Sequence, residues 1–355
     1  MTSERTWREH PLVQLTLVRY REFYREPEAL FWVFIFPVLL TAGLGIAFRS
    51  SGPERIPVAL VAGTDVKASA GDSLGRTLSA AADLSVRMLD DSSAARALRA
   101  GDVAMVIRSA GAGLEYRYDP ERPDAREARL RVDQAVQRAA GRQDPVRTSE
   151  QTIHERGARY VDFVVPGLLG MNLMGSGIWG LGFAIVDARR KHLLKRLTAT
   201  PMSRPQFLAS FVLSRLTFLI LEVVLLLGFA VLVFDVPIRG SLVLLAGICV
   251  LSALAFASLG LLIAARPRTV EGVSGLMNVV MLPMWIFSGV FFSAARFPDA
   301  VQPLIRALPL TAVIDALRGS MLRGAGVAEL APQLAVIVAW MVVSFILAVR
   351  LFRWR

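Results

Sequence analysis

The sequence predicts an α-helical polytopic membrane protein with six transmembrane helices and an inserted α/β extracytoplasmic domain. Of its 355 residues, 54% are hydrophobic, a larger share than a soluble domain of this length usually holds. The apolar residues form six blocks, each long enough to cross a bilayer as a helix. Between the first two blocks, residues 49–160 are rich in charge, as a water-facing domain is.

The six predicted spans are residues 29–48, 161–186, 206–234, 242–264, 270–293 and 332–352. The first contains Pro37, which a membrane helix tolerates where a neighbouring helix satisfies the freed carbonyl group. The first block has the length of a full span rather than of a signal-peptide core, so we expect an uncleaved anchor. Small residues in the second span allow helices to approach closely in lipid; they are Gly167, Gly170, Gly175, Gly177, Gly180 and Gly182.

The basic residues are concentrated beside the spans. The chain has a formal net charge of +11, of which residues 49–160 contribute only +2, from 18 Lys and Arg against 16 Asp and Glu. This distribution argues against nucleic-acid binding and follows the positive-inside rule. The basic segments are the N-terminal lead, the loops after spans two and four, and the tail at 353–355. We therefore expect a bacterial inner-membrane protein with both termini cytoplasmic and residues 49–160 extracytoplasmic.

Residues 49–160 have the pattern of a folded α/β domain. Short apolar or alternating runs predict strands at 56–62, 103–107 and 114–118. Helices are expected at 92–100, ended by Gly101, and at 124–140. Strands that alternate with helices favour an α/β layer structure. The single cysteine, Cys249, lies in an apolar block, so this domain must fold without an internal disulfide.

The motifs of several enzyme classes are missing from the sequence. It contains no G-x-x-x-x-G-K-[ST] phosphate-binding loop, no H-E-x-x-H and no C-x-x-C. The three histidines, His10, His154 and His192, are far apart, so we expect no metal site and no cofactor in this chain. The spans offer one clear acid, Glu222, too little for an intramembrane hydrolase. If the protein uses ATP, another chain must bind it.

Two segments are predicted to be amphipathic helices. Residues 1–28 mix leucine and aromatic residues with arginine, which fits a helix on the cytoplasmic leaflet; a solvated N-terminus is the alternative. Residues 187–205 place Leu193, Leu194 and Leu197 at one-turn spacing among basic residues, and Pro201 ends the helix. A helix joined rigidly to two spans can pass motion into the membrane. Alternatively, this basic segment only fixes the topology.

Leu194–Pro201 after span two, Val165-Pro-Gly167 and the run from Leu308 to Arg318 together resemble segments of a known family, the type-2 ABC transporter permeases. The stretch after span two, Leu194-Lys-Arg-Leu-Thr-Ala-Thr-Pro201, is close to the family's Leu-x-Arg-Leu-x-x-Thr-Pro coupling-helix pattern. Val165-Pro-Gly167 resembles the start of the family's second span. The run from Leu308 to Arg318 resembles its hydrophobic segment between spans five and six. The large domain after span one is similar to that of the multidrug and sodium-efflux subgroup, whereas Lys191-His192 departs from the family's acid-then-glycine pattern.

The resemblance implies that ATP binding and membrane spanning belong to different chains of one complex. An ABC ATP-binding subunit would bind ATP and Mg, and a second permease copy, identical or different, would complete the complex within the membrane lipid. Residues 1–28 would be the elbow helix and residues 187–205 the coupling helix. The residues that would dock on the ATPase are Arg189, Arg190, Leu194, Lys195, Arg196, Leu197 and Pro201.

Three polar residues inside the spans are candidates for a translocation path. Glu222 is expensive to bury in lipid, so it must face a partner or a cavity. Arg215 lies seven residues earlier on the same helix face, or extends to the interface instead. A structural polar contact and a path or coupling role both remain open for Glu222. Asn172 and Asn278 can either line a path or join helices by hydrogen bonds.

Residues 294–331 are too polar and too rich in proline to form a span, but they are hydrophobic enough to dip into the outer leaflet. The family resemblance implies short re-entrant helices that close the pathway from outside. We single out Pro309, Asp315 and Arg318. The last two lie three residues apart, at a spacing that allows them to pair on a helix.

The sequence thus favours the permease subunit of an ABC exporter that moves an amphipathic substrate outward, such as a drug or lipid. The alternative is a membrane-anchored sensor or scaffold whose extracytoplasmic domain binds a ligand. That alternative leaves the basic amphipathic segment after span two unexplained. A third hypothesis, an intramembrane enzyme, lacks a catalytic constellation.

Overall fold

The computed structural model describes residues 11–48, 55–61, 68–81, 83–110, 113–142, 157, 159–190, 204–267 and 269–351. The chain divides into two compact units. One unit is Met1–Arg49 with Ile153–Arg355, and the other is Ser50–Thr152. The first unit is helical, and the second is an α/β insertion within it.

The chain before the insertion forms three helices and one π-helical turn. Helix α1 is Pro11–Tyr24, α2 is Pro27–Leu30, the π-helical turn is Phe31–Ile35, and α3 is Phe36–Ala47. Proline favours the first positions of helices, and Pro27 begins α2. The apolar helix Phe31–Ala47 falls in the predicted span 29–48 but is shorter than the other apolar helices.

The insertion is a four-stranded sheet with helices on both faces. Its elements are β1 (Ile56–Val61), α4 (Ala68–Ala80), β2 (Leu84–Leu89), α5 (Asp91–Ala100), β3 (Met105–Ala110), β4 (Gly113–Tyr118) and α6 (Pro123–Ala139). The strand order is β2-β1-β3-β4, with β1 parallel to β2 and β3, and β4 antiparallel to β3. Helices α4 and α6 cover one face and α5 covers the other.

Helix α5 shows how the local sequence sets the bounds of an element. The carboxylate of Asp90 accepts hydrogen bonds from the Ser92 hydroxyl and the Ser93 N–H, and these bonds lower the pKa of Asp90. Gly101 ends the helix with a φ of 82°, a conformation that glycine adopts without steric cost. The strands and helices predicted for this unit match observed elements, whereas α4 and β2 have no counterpart in the prediction.

The chain after the insertion forms the rest of the bundle. Its helices are α7 (Tyr160–Arg190), α8 (Arg204–Phe234), α9 (Leu242–Ile263), α10 (Val270–Phe287), α11 (Gln302–Ala307), α12 (Pro309–Arg318) and α13 (Val327–Leu351). A second π-helical turn, Gly319–Arg323, follows α12. In the described residues, five of these helices are long and apolar enough to cross a membrane: α7, α8, α9, α10 and α13.

Two predicted spans have different bounds in the structure. The predicted span 270–293 ends at Phe287, because the chain turns at Gly289, where φ is 80°. The predicted span 332–352 begins earlier, at Val327, and Pro332 lies inside the helix. Between them, the predicted re-entrant region 294–331 contains a pair of short helical stretches, Asp299–Ala307 and Pro309–Arg323, bent by 85°.

Glycine allows the central helices of the bundle to pack at very short range. A Cβ atom at Gly260 of α9 would lie 2.9 Å from the Cα atom of Ile178 on α7. A Cβ atom at Gly177 would lie 2.7 Å from the Cβ atom of Phe256. Close approach of backbones at small residues is a main source of helix association in lipid. Gly177 and Gly260 therefore allow α7 and α9 to pack closely against each other.

The two ends of the bundle can be told apart by their connections. Phe48 after α3 stacks on Tyr160 of α7, with ring centroids 4.1 Å apart. Phe48 precedes the insertion in sequence and Tyr160 follows it, so we call this the insertion end. At the other end α7 finishes at Arg190 and α8 begins at Arg204. We call that end the coupling end, and residues 191–203 the coupling segment.

Candidate functional site

The residues predicted to contact an ATPase belong to the coupling end. Arg189 and Arg190 lie in the last turn of α7, with side chains outside the described part of the chain. The remaining predicted contacts lie in the coupling segment, outside the described residues; they are Leu194, Lys195, Arg196, Leu197 and Pro201. The structure does fix the helices on both sides of this segment.

Helix α1, in the predicted elbow region 1–28, is anchored to α8. The Tyr20 hydroxyl donates a hydrogen bond of 2.7 Å to the hydroxyl oxygen of Thr217. The rings of Tyr20 and Phe23 both lie against Phe218, with centroid distances of 5.4 Å and 4.1 Å. Aromatic pairs at such distances add to the energy of burial. A shift of α8 near its coupling end would therefore carry α1 with it.

Glu222 lies at the centre of a polar cluster between α7 and α8. Its side chain is completely buried, and the Oε1 atom lies 3.4 Å from the Nη2 atom of Arg215. The Ser176 hydroxyl of α7 donates a 3.0 Å hydrogen bond to Oε2. Gly180 lies one turn after Ser176 and leaves room for the guanidinium, since a Cβ atom there would be 3.4 Å from Nη1. The pairing of residues 215 and 222 follows their predicted spacing.

The cluster is only partly satisfied. Within the described part of the chain, the buried atoms Arg215 Nε, Arg215 Nη2 and Glu222 Oε1 have no hydrogen-bond partner. The charges therefore attract each other without the directed hydrogen bonds that make a buried ion pair strong. Such an arrangement costs desolvation energy and is retained where it serves a conformational or functional purpose.

Asn172 joins α7 to the first apolar helix. Its side-chain Nδ2 donates to the carbonyl oxygen of Val33 over 3.4 Å. That carbonyl would ordinarily accept from the N–H of residue 37, but Pro37 has none. The Thr41 hydroxyl in turn bonds the Pro37 carbonyl at 2.7 Å. Side chains of neighbouring positions thus satisfy the backbone around the proline, as expected for a helix in lipid.

Asn278 has a different environment from Asn172. It lies at the middle of α10 and its side chain is exposed on the surface of the protomer. Val279 and Leu282 on the same surface are exposed by 70% and 55%, and the Cβ position of Gly275 faces open space. An amide at mid-span needs a polar partner or water. The exposed face of α10 is thus a candidate for a surface that meets another chain or a pathway.

At the insertion end, Arg318 has partners other than the one predicted. Its guanidinium donates to the Phe163 carbonyl through Nε and Nη2, at 3.2 and 3.0 Å, and to the Gly289 carbonyl at 2.7 Å. It also lies 3.6 Å above the Phe163 ring. No ion pair within 4.0 Å joins it to Asp315 among the described residues. The spacing suggested pairing within α12, but the carbonyls of two other segments lie within its reach.

Pro309 and Asp315 complete the predicted site residues of this end. Pro309 is buried at the first position of α12, where its missing N–H costs no helical hydrogen bond. Asp315 is half-buried on the same helix. The prediction missed three polar residues that take part in buried contacts, namely Ser176, Arg159 and Asp162. An acid in the first turn of an apolar helix is a signal that could have identified Asp162, whereas a serine in a glycine-rich span gives none.

Comparison with known proteins identifies the family to which the chain is related. Residues 27–350 match the family model of the ABC-2 family transporter proteins. ABC transporter G family member 20 of Dictyostelium discoideum is 27% identical over 218 residues, which are 61% of this chain and 30% of that protein. Nodulation protein J of Rhizobium leguminosarum bv. viciae is 32% identical over 105 residues, 30% of this chain and 40% of that protein.

A third relative is covered more fully. The inner membrane transport permease YadH of Escherichia coli (strain K12) is 26% identical over 195 residues, which are 54% of this chain and 74% of that protein. The matches to the first two relatives span less than half of their lengths. The family match, by contrast, runs from α2 to the last turn of α13. The chain therefore belongs to the ABC-2 family of transporter proteins, the type-2 ABC permeases.

Proposed function

We propose that this chain is the membrane-spanning subunit of an ABC exporter and that a separate ATP-binding subunit drives it. The observation that carries this proposal is the family match over residues 27–350, which runs through all the apolar helices of the described bundle. The sensor or scaffold hypothesis is less favoured because the match covers the bundle from α2 to the last turn of α13. ATP and Mg would be bound by the partner, and the chain itself would perform no catalysis.

The geometry of the coupling end supports a mechanism. An ATPase that moves the coupling segment would move the ends of α7 and α8 together. The Glu222 cluster links these two helices within the membrane, and α1 is attached to α8 through Thr217 and Phe218. We infer that α1, α7 and α8 respond as one body. Such a body would pass a displacement of the coupling segment into the membrane. The ATPase would drive it by binding one of two states more tightly than the other.

The exposed face of α10 supports a second copy of the chain. A lipid-facing amide at the middle of a span is costly, and pairing with a second Asn278 would satisfy it. The small residue Gly275, one turn before Asn278, allows close approach. In the proposed complex, two permease copies and two ATPases surround a path beside Asn278. Asn172 on α7 and Glu222 on α8 are further candidates for this path. The substrate would be amphipathic, such as a drug or lipid, and would leave on the side of the insertion.

The experiment is purification of the tagged chain from its native membrane in mild detergent, followed by an ATPase assay. The parent should recover an ATP-binding subunit and ATP hydrolysis. Arg196→Glu and Leu197→Asp should release that subunit, because both change the surface predicted to dock. The matched controls are Arg138→Glu and Leu130→Asp, the same changes at exposed positions of α6. Recovery of no ATPase with the parent, or retention of the subunit in both coupling variants, would contradict the proposal.

A further inference from the structure

The first turn of α7 contacts several other chain segments at the insertion end. Tyr160 stacks on Phe48, and its hydroxyl donates a 3.0 Å hydrogen bond to the carbonyl of Phe291, beyond α10. Tyr160 thus links the end of α3 to the segment after α10. The neighbouring residues along the chain extend this set of contacts.

Asp162 and Arg159 bind the loop between α8 and α9. The Asp162 side chain is completely buried, and its carboxylate accepts from Arg159 Nε at 3.0 Å and Nη2 at 2.9 Å. It also accepts from the backbone N–H groups of Gly157 and Arg159 at 3.0 and 3.1 Å. The same Nη2 atom donates to the carbonyl of Asp235 at 3.0 Å. A carboxylate with four donors fixes its partner firmly, so Arg159 is held in place to bind this loop.

Phe163 provides the contact to the re-entrant region. Its carbonyl and ring together hold the Arg318 guanidinium, which also reaches Gly289 after α10. The α8–α9 loop also contacts the π-helical turn Gly319–Arg323 directly. The Arg239 N–H donates to the Met321 carbonyl at 2.8 Å, and Gly240 lies so close to the Ser320 carbonyl that a side chain would collide with it.

One residue of the loop carries backbone strain. Asp235 has a φ of 54°, which is uncommon for a residue with a side chain. Strained conformations persist where the surrounding structure enforces them, and they occur often in segments that switch. In this case the Arg159 guanidinium bonds the strained residue's carbonyl. Loss of that bond would let the loop relax.

We propose that Arg159, Tyr160, Asp162 and Phe163 form a clasp that holds the insertion end closed and releases as a unit. The four residues lie within five consecutive positions, from Arg159 just before α7 to Phe163 in its first turn, so a small rotation or tilt of this helix breaks their contacts together. The other end of α7 leads to the coupling segment, and the chain just before the clasp leads to the insertion. The clasp therefore responds to displacement from either side. The clasp proposal rests on the proposed export function in one respect, namely that the region closed by the clasp is part of a transport pathway.

The test uses the accessibility of a buried position beneath the clasp. Val290 is 1% exposed, and its carbonyl oxygen would lie 2.5 Å from a Cβ atom at Gly167 of α7. Val290→Cys is introduced into full-length protein that carries Cys249→Ala. Freeze–thawed native membranes expose both faces to a charged maleimide, so no orientation is assumed. In the parent the label should react slowly.

Asp162→Asn should speed labelling of the cysteine at position 290 by roughly tenfold or more, the effect of about 1.4 kcal/mol on an opening equilibrium. Arg318→Lys should act in the same direction, because lysine cannot bond two carbonyls while stacking on Phe163. Asp124→Asn, the same change on exposed α6 of the insertion, should have no effect. Unchanged protection in both clasp variants would overturn the proposal.

A second reporter separates release of the clasp from unfolding. Met281→Cys places the thiol at a buried position of α10, two turns before its end. It should stay protected in both clasp variants. If the cysteine at position 281 becomes reactive in Asp162→Asn, that variant has lost more than the clasp, and Arg318→Lys becomes the test. If this cysteine is reactive in Arg318→Lys as well, a local clasp is refuted. The assay needs no ATPase, so its failure leaves the proposed function standing, and loss of the ATPase partner leaves the clasp standing.

Discussion

Arg215 and Glu222 meet although they lie about 10 Å apart along the axis of α8, seven residues at about 1.5 Å each. The long arginine side chain runs along α7, where Gly180 provides the space. The sequence identified Glu222 because it is the one clear acid in the spans, and it identified Arg215 by spacing. It could not identify Ser176, because the hydroxyl gains its role only from the position of α7 against α8.

We expect Glu222→Met and Arg215→Met each to destabilise the protein by roughly 3–5 kcal/mol, because each leaves a buried charge without its partner. The double variant should lose much less than the sum, since two apolar side chains replace the pair. Thermal unfolding of the detergent-purified chain measures all four members of the cycle. Phe345→Met, at an exposed position of α13, controls for the effect of an added methionine.

The outcome of this cycle distinguishes a stabilising pair from a functional one. If the double variant is stable but no longer couples ATP hydrolysis to transport, the ion pair serves movement rather than folding. Additive losses in the cycle would show that the two charges do not interact, contrary to the 3.4 Å separation.

Among the elements, the first apolar helix differs most from a regular span. Its π-helical turn, Phe31–Ile35, precedes Pro37, and Asn172 reaches into this region from α7. π-helical turns frequently accompany functional sites. The sequence predicted one continuous span at 29–48, because proline and apolar composition reveal no change of helix type. The support for the Val33 carbonyl becomes visible only in the structure, where Asn172 of α7 bonds it.

We expect Asn172→Leu to destabilise the protein by about 0.6–1.7 kcal/mol, the range for hydrogen bonds between membrane helices. Pro37→Ala should offset much of that loss, because alanine supplies an N–H to the Val33 carbonyl. The measurement is thermal unfolding of both single variants and the double variant. If Asn172→Leu destabilises the Pro37→Ala variant as much as it destabilises the parent, a role for this carbonyl is contradicted.

The element bounds show where sequence patterns lose information. Helix α9 occupies almost the predicted residues, since its whole length is apolar and polar loops flank it. The end of α10 lies at Phe287 because of the turn at Gly289, but the apolar run continues to Phe292 and conceals it. Strand β2 was missed because Arg87 interrupts its apolar pattern, while its backbone pairs with β1 throughout.

For the whole molecule, the proposed second copy depends on which faces of the helices are exposed and which are buried. The predicted class of polytopic helical membrane protein agrees with five membrane-length helices and one bent pair among the described residues. Composition alone predicted this much, because the bilayer imposes length and apolarity on every span. It could not reveal which face of α10 stays exposed on the protomer. That depends on packing within the protomer, which leaves Asn278 outside.

We expect Asn278→Cys, in protein that carries Cys249→Ala, to form a covalent dimer in native membranes under mild oxidation, because the proposed second copy places two α10 helices together. Val343→Cys, on the exposed face of α13, should cross-link far less. Electrophoresis without reducing agent measures both. Equal yields from the two positions would mean random collision in the membrane and would remove the argument for α10 as the dimer face.

The stack of Phe48 on Tyr160 has a consequence for how such a protein can change over generations. Phe48, the last described residue before the insertion, and Tyr160 at the start of α7 are neighbours, so a short loop could bridge them as readily as a folded domain does. Gain, loss or exchange of this domain would then be a local event that leaves the helices in place. The α/β unit would then act as a replaceable module, and related proteins could gain or lose an accessory domain without changes to the membrane helices.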